Sequence, residues 1–160
     1  MIGEWLTNVL RVVGQVGWTH RGFLGWMDRK MSNYTFFDDA EITKWQLDGQ
    51  LWAMLDLARG KAGVPFVITS GRRSADGNSI LAGAVPDSSH LTGLGVDIFV
   101  QDDNAYCLIL KGLYAAGFRR FGHYFSVDQK DPNHFIPRHI HVDIDSTKPQ
   151  DCCWAKREQN

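Results

Sequence analysis

The sequence predicts an α+β domain: a small, mainly antiparallel sheet with helices on its far face and around its edge, preceded by a helical extension. Three observations predict it. In residues 139–145, His139, His141, Asp143 and Asp145 alternate with Ile140, Val142 and Ile144, the period of two expected of a half-buried strand. Phe66–Thr69 and Gly95–Val100 are short apolar, β-branched runs bounded by Pro or Gly, which predict two more strands. Between and before these, apolar residues recur at intervals of three and four, the period of a helix. A chain of 160 residues is long enough to bury one substantial core.

Taken in order, Ile2, Trp5, Leu6, Val9, Val12, Val13 and Val16 form one face of an amphipathic helix, with Glu4, Asn8, Arg11 and Gln15 opposite. Glu4 and Arg11 interrupt the apolar run, so it is neither a signal peptide nor a membrane span, which needs roughly 18 or more apolar residues. Trp18, Phe23, Leu24, Trp26 and Met27 continue the segment beside Arg21, Arg29 and Lys30. Residues 1–35 are read as an extension packed on the domain, with a weak contact to a membrane surface or a protein through residues 1–30 as the alternative.

Asp38 or Asp39 caps a helix that carries Trp45, Leu47, Leu51, Leu55 and Ala58 and stops at Gly60 and Gly63. The Phe66–Thr69 strand follows, then a loop through Gly83 and Pro86. Beyond Gly95–Val100, Asp102 or Asp103 caps a helix closed by Gly117. Phe118–Phe121 is a further strand, and residues 128–138, with two prolines, are a loop leading into the strand at 139.

The chemistry is concentrated in Ser88-Ser89-His90-Leu91-Thr92-Gly93-Leu94-Gly95-Val96-Asp97 and in His139-Ile140-His141-Val142-Asp143. Catalytic zinc takes three nitrogen or carboxylate ligands at roughly 2.0–2.2 Å and leaves a fourth place open. His90, Asp97 and His141 supply such a set: two ligands close in sequence, with glycines that let the backbone bring them together, and one from a distant strand. A network of hydrogen-bonded histidines is the duller reading of the same residues.

The first segment, Ser-x-His-x-x-Gly-x-Gly-x-Asp, and the later His resemble the zinc D-Ala-D-Ala carboxypeptidases and peptidoglycan endopeptidases. That family includes phage L-alanyl-D-glutamate endolysins and shares its core with the hedgehog domain. Gly95 stands where the family usually has Ala. The resemblance extends upstream to Thr69-Ser70-Gly71-Arg72-Arg73-Ser74, similar to the family's Thr-Ser-Gly-Tyr-Arg-Ser, and covers roughly residues 36–154. It implies a bound Zn2+ and zinc-dependent hydrolysis of peptide bonds involving D-amino acids in bacterial peptidoglycan, by a carboxypeptidase or an endolysin-like endopeptidase. It further implies that Arg73 holds the substrate carboxylate or carbonyl and that Ser88 hydrogen-bonds the substrate, where otherwise Ser88 would cap a turn.

The sequence departs from the family at the general base. The usual acid, three residues before the last His, is here Arg138, which cannot accept a proton. His139, on the face of His141, is the substitute, resembling the first His of a His-x-His form; its alternative is to hydrogen-bond a ligand. Asp131, His134, His123 and Asp143 stand in reserve.

Composition narrows the partners. A net charge of −1 provides no electrostatic case for nucleic acid, and the expected partner is a peptidoglycan peptide. Three cysteines, two of them adjacent, are read as reduced thiols. The organisation expected is an extension over 1–35, a zinc peptidase domain over 36–154 and a polar tail over 155–160. A chain without a signal peptide fits a phage or prophage lysis enzyme released by another protein, or one carried in a virion. The opposing reading is a non-catalytic zinc-containing module that binds a peptide or protein, which the loss of the acid at position 138 allows.

Overall fold

The computed structural model describes residues 34–81 and 84–158, so the expected N-terminal helix lies outside the described residues. Helix α1 (Asp39–Trp45) begins at Asp38, whose side chain accepts from Glu41 N–H while the Glu41 side chain returns to the Asp38 N–H, a reciprocal cap. The sequence predicted one helix from here to Gly60. The chain instead breaks at Gln46, in the left-handed region at φ 48°, and restarts at Asp48, which caps α2 (Gly49–Ala62). The break is held by contacts that a continuous helix could not make: Leu47 is buried, Asp48 N–H donates to Gly93 O at 2.9 Å, and Arg72 N–H donates to Trp45 O at 2.9 Å. The α1–α2 corner is therefore tied to both motif loops.

Strand β1 (Val67–Ser70) follows, then a short helix α3 (Ala75–Ser79) capped by Ser74 inside the segment expected to be loop. Next come β2 (Gly95–Phe99), α4 (Asp103–Ala115, capped by Asp102), β3 (Arg120–Val127), β4 (Phe135–Asp143) and β5 (Cys152–Arg157). The sheet order is β1-β2-β4-β3-β5, antiparallel except for the β3–β5 pair. The α+β reading holds, with a mixed sheet.

Two boundaries move. β3 runs six residues past Phe121, and β4 begins at Phe135, so Arg138 lies inside a strand rather than in a loop. Pro137, which lacks an N–H, is accommodated beside the bulge between Tyr124 and Phe125. β5 crosses the boundary expected at 154, and Ala155, Lys156 and Arg157 are strand residues rather than tail.

Alternation along the central strands sorts the two faces. Val96, Ile98, Ile140 and Val142 point into the core against Leu51, Leu55, Ile109 and Leu113 of α2 and α4, all of them buried. The residues between them, Asp97, His139, His141 and Asp143, face the other way. None of the helices among the described residues is long and apolar enough to cross a membrane.

Candidate metal centre

The β2–β4 register sets Asp97 directly across from His141. The Ser88–Leu94 loop then folds His90 over them. Gly93, at φ 77°, makes the turn. At Gly95 an added Cβ would lie 3.0 Å from Ser89 Cβ and 3.1 Å from the His141 ring, so the glycine in place of the family's Ala leaves room where space is tight.

Three atoms converge. Asp97 Oδ1 is 2.8 Å from His141 Nδ1 and 3.3 Å from His90 Nε2, and the two ring nitrogens are 3.2 Å apart. The far nitrogen of each ring already has an acceptor: His90 Nδ1 is 2.7 Å from Gly71 O, and His141 Nε2 is 3.2 Å from Asp143 Oδ2. If each ring donates its proton outward, three lone pairs are left facing one point, an arrangement that only a cation stabilises. The spacing fits one, since a tetrahedral ion with bonds of about 2.0–2.1 Å has ligands about 3.3–3.4 Å apart. His90, Asp97 and His141 are the group among the described residues that could hold a metal, all three atoms lying within 4.8 Å of one another.

Electrostatics agree with this arrangement. Burial alone would raise the Asp97 pKa, but the hydrogen bonds from His141 and His90 take it well below the ordinary carboxylate range. Burial alone would lower the His141 pKa, and Asp143 and Asp97 outweigh it and raise it. Asp143, itself buried, is held below its ordinary value by His141 and by Arg120, whose Nε is 2.9 Å away. The Arg120 guanidinium lies over the Trp154 ring, 4.7 Å from its centroid.

A family model described as Peptidase M15 matches residues 29–143. The chain belongs to that family. M15 peptidases are metal-dependent hydrolases, and the His-Asp-His group lies within the matched residues. No curated protein and no solved structure matched the chain.

The M15 centre opens into a cavity of about 1000 Å³. Arg73 lines it, with Nη2 4.0 Å from Asp97 Oδ2 and a buried Nε that has no hydrogen-bond partner. Ser88 also lines it, while its Oγ accepts from His90 N–H at 3.4 Å, so the turn-capping contact is present at a cavity-facing residue. His139 stacks on Tyr124 with ring centroids 4.1 Å apart, and its Nδ1 is 3.5 Å from Glu158 Oε1. Burial pushes the His139 pKa down, against the pull of Asp97 and Glu158.

The reserve residues separate. Arg138 is exposed, one position out of phase with His139 and His141. His123 lies on the helix side of the sheet, its Nδ1 2.8 Å from the Tyr106 hydroxyl. Asp131 and His134 are exposed outside the cavity lining, His134 facing Asp128 and Asp103. Of the four reserve residues, Asp131, His134, His123 and Asp143, only Asp143 reaches the His-Asp-His group, through its hydrogen bond with His141 Nε2.

Sequence reasoning missed Arg120, Tyr124, Trp154 and Glu158. Trp154 packs flat on Gly122, where an added Cβ would sit 2.7 Å from the indole, and this brings it to 5.7 Å from the His141 ring. The Gly in an otherwise bulky β3 run, Arg120 to Phe125, was the available signal, since a strand glycine often marks a close approach.

Proposed function

We propose that this protein is a zinc-dependent peptidase that hydrolyses peptide bonds involving D-amino acids in bacterial peptidoglycan. The observation that carries the reading is the convergence of His90 Nε2, Asp97 Oδ1 and His141 Nδ1 in the wall of a cavity, within a chain of the M15 family. Two imidazoles and one carboxylate are a donor set suited to Zn2+. A zinc ion bound there would lower the pKa of water to roughly 7 and polarise the scissile carbonyl.

The chain's own residues do the rest in this reading. Arg73, in the cavity wall, orients the substrate carbonyl or carboxylate with its fixed fork of donors. Ser88 donates a hydrogen bond to the substrate backbone. His139 takes the proton of the attacking water: its ring is neutral near pH 7 because burial disfavours the charged form. Asp143 and Arg120 hold the His141 ring. The setting that fits is a phage or prophage lysis enzyme, or a virion-borne one, reaching the wall after release.

Purified cell wall treated with the zinc-loaded protein should yield new amine termini, and a chelator should stop their appearance. Mass spectra of the fragments would show which bond is cut. Arg138, at the position of the family's acid, favours a second reading as a non-catalytic peptide-binding module. Wall left intact by zinc-loaded protein would establish that alternative.

A further inference from the structure

We propose that Tyr124 is a catalytic hydrogen-bond donor, whose hydroxyl holds the substrate's carbonyl oxygen as that oxygen gains charge during hydrolysis. The proposal rests on the peptidase reading above and adds to it a residue for the reacting carbonyl.

The sheet places the phenol. In the β3–β4 register Gly122 stands across from His141, and Tyr124 stands across from His139. The Tyr124 ring lies against the His139 ring, with centroids 4.1 Å apart and planes 18° from parallel, so the stack sets its tilt. Trp154 then decides where the hydroxyl goes. Its indole lies on Gly122, where an added Cβ would be 3.0 Å from Nε1, and the same side chain hydrogen-bonds the Tyr124 hydroxyl. The phenol thus leans from the row of His139 toward the row of His141, and Tyr124, Trp154, His139 and His141 line one cavity.

The chemistry of the two partners fixes the use of the phenol proton. An indole N–H only donates, so the phenol oxygen accepts from Trp154 and keeps its own proton for another partner. Among the described residues no acceptor takes that proton. Burial raises the Tyr124 pKa, and the charges of Asp97 and Glu158 add to the rise against Trp154 and Arg73, so the phenol stays protonated at neutral pH. A neutral donor therefore faces the cavity beside the proposed base.

A peptide carbonyl makes use of such a donor. As the water oxygen bonds to the carbonyl carbon, one water proton passes to His139 and the C=O π pair moves onto the carbonyl oxygen. When the C–N bond breaks, that pair re-forms C=O, and the amine nitrogen leaves with the bonding pair and takes the proton from His139. The new acid retains the other water proton. The phenol keeps its own proton throughout and donates most strongly while the oxygen is charged, which favours the transition state over the bound substrate.

The test compares the zinc-loaded full chain with Tyr124→Phe, which keeps the ring on His139 and should keep the melting temperature and zinc content. The substrate is the stem peptide L-Ala-γ-D-Glu-L-Lys-D-Ala-D-Ala. The ligands for calorimetry are two phosphinate analogues of it, with the tetrahedral anionic group in place of the Ala–Glu or the Ala–Ala amide. In Tyr124→Phe, kcat should fall roughly 100-fold with KM little changed, the effect of losing one donor to a developing oxyanion. Affinity for the tighter phosphinate should fall by a similar factor. A turnover like that of the wild type would overturn the proposal. So would a fall in kcat at unchanged phosphinate affinity, which would make Tyr124 a support for His139 alone. If the wild type leaves the stem peptide intact, a phosphinate affinity that depends on Tyr124 removes the peptidase and keeps the donor, and one that is absent or independent of Tyr124 overturns both.

Discussion

Asp143 supports His141 from behind: its Oδ2 lies 3.2 Å from His141 Nε2, while Arg120 fixes the same oxygen at 2.9 Å. The carboxylate therefore fixes which ring nitrogen faces Asp97 and His90. Asp143→Asn can present its amide nitrogen instead, which would turn the His141 ring or leave the contact unmade. We expect this variant to stay folded but to bind zinc about 10- to 100-fold more weakly, the usual effect of losing a partner behind a ligand. Competition against a chromogenic chelator measures it. His141→Ala, which removes a ligand outright, should lose zinc from the purified protein, and equal zinc in that variant and the wild type would refute the centre.

A second expectation separates positions 138 and 139. His139→Ala should retain zinc and lose roughly two to four orders of magnitude in turnover, the contribution of a positioned base. Arg138→Glu should change activity little, because residue 138 is exposed within β4 and points away from His141. Steady-state rates on peptidoglycan fragments decide both. Full activity in His139→Ala would remove that residue from the mechanism.

Gly122→Ala tests the seat of β5. Its methyl would meet the Trp154 indole at 2.7 Å, so the ring must lift and the strand must shift with it. A loss of roughly 1–3 kcal/mol is expected, typical of overpacking, together with a change in tryptophan fluorescence. Denaturant melts followed by fluorescence would measure both, and a variant with wild-type stability and spectrum would show that the indole does not lie on the glycine.

On the helix side of the sheet, burial lowers the His123 pKa. The unfolded chain, with a histidine value of about 6.5, then binds the proton more readily than the folded one. Stability contributed by the neutral ring is accordingly full above about pH 6.5 and falls as pH drops through that value, levelling off below the folded pKa. His123→Phe, among Phe121, Phe125 and Tyr106, should narrow the gap between melting temperatures at pH 7.5 and pH 5.5. An unchanged gap would assign the acid sensitivity to other groups.

Much of this was legible in the sequence because the strands follow a strict alternation. The period of two in 139–145 put Ile140 and Val142 in the core and the histidines opposite, and the same parity turns Arg138 away. The break at Gln46 was not legible, since Trp45, Leu47 and Leu51 keep nearly helical spacing and only contacts with Gly93 and Arg72, distant in sequence, stop the helix. β5 escaped for a related reason. Its residues are half-buried or exposed, so no apolar period marks it, and its pairing with β3 depends on a glycine thirty-two positions away.

The pairing of β2 with β4 has one further consequence. Because the register that joins Asp97 to His141 is the one that sends Val96, Ile98, Ile140 and Val142 inward, a slip of one residue would scatter the ligands and flip the core together. Zinc uptake during refolding would then act as a proofreading signal: only chains whose two central strands have annealed in phase can capture the ion, and the kinetics of capture would report the moment at which that alignment is achieved.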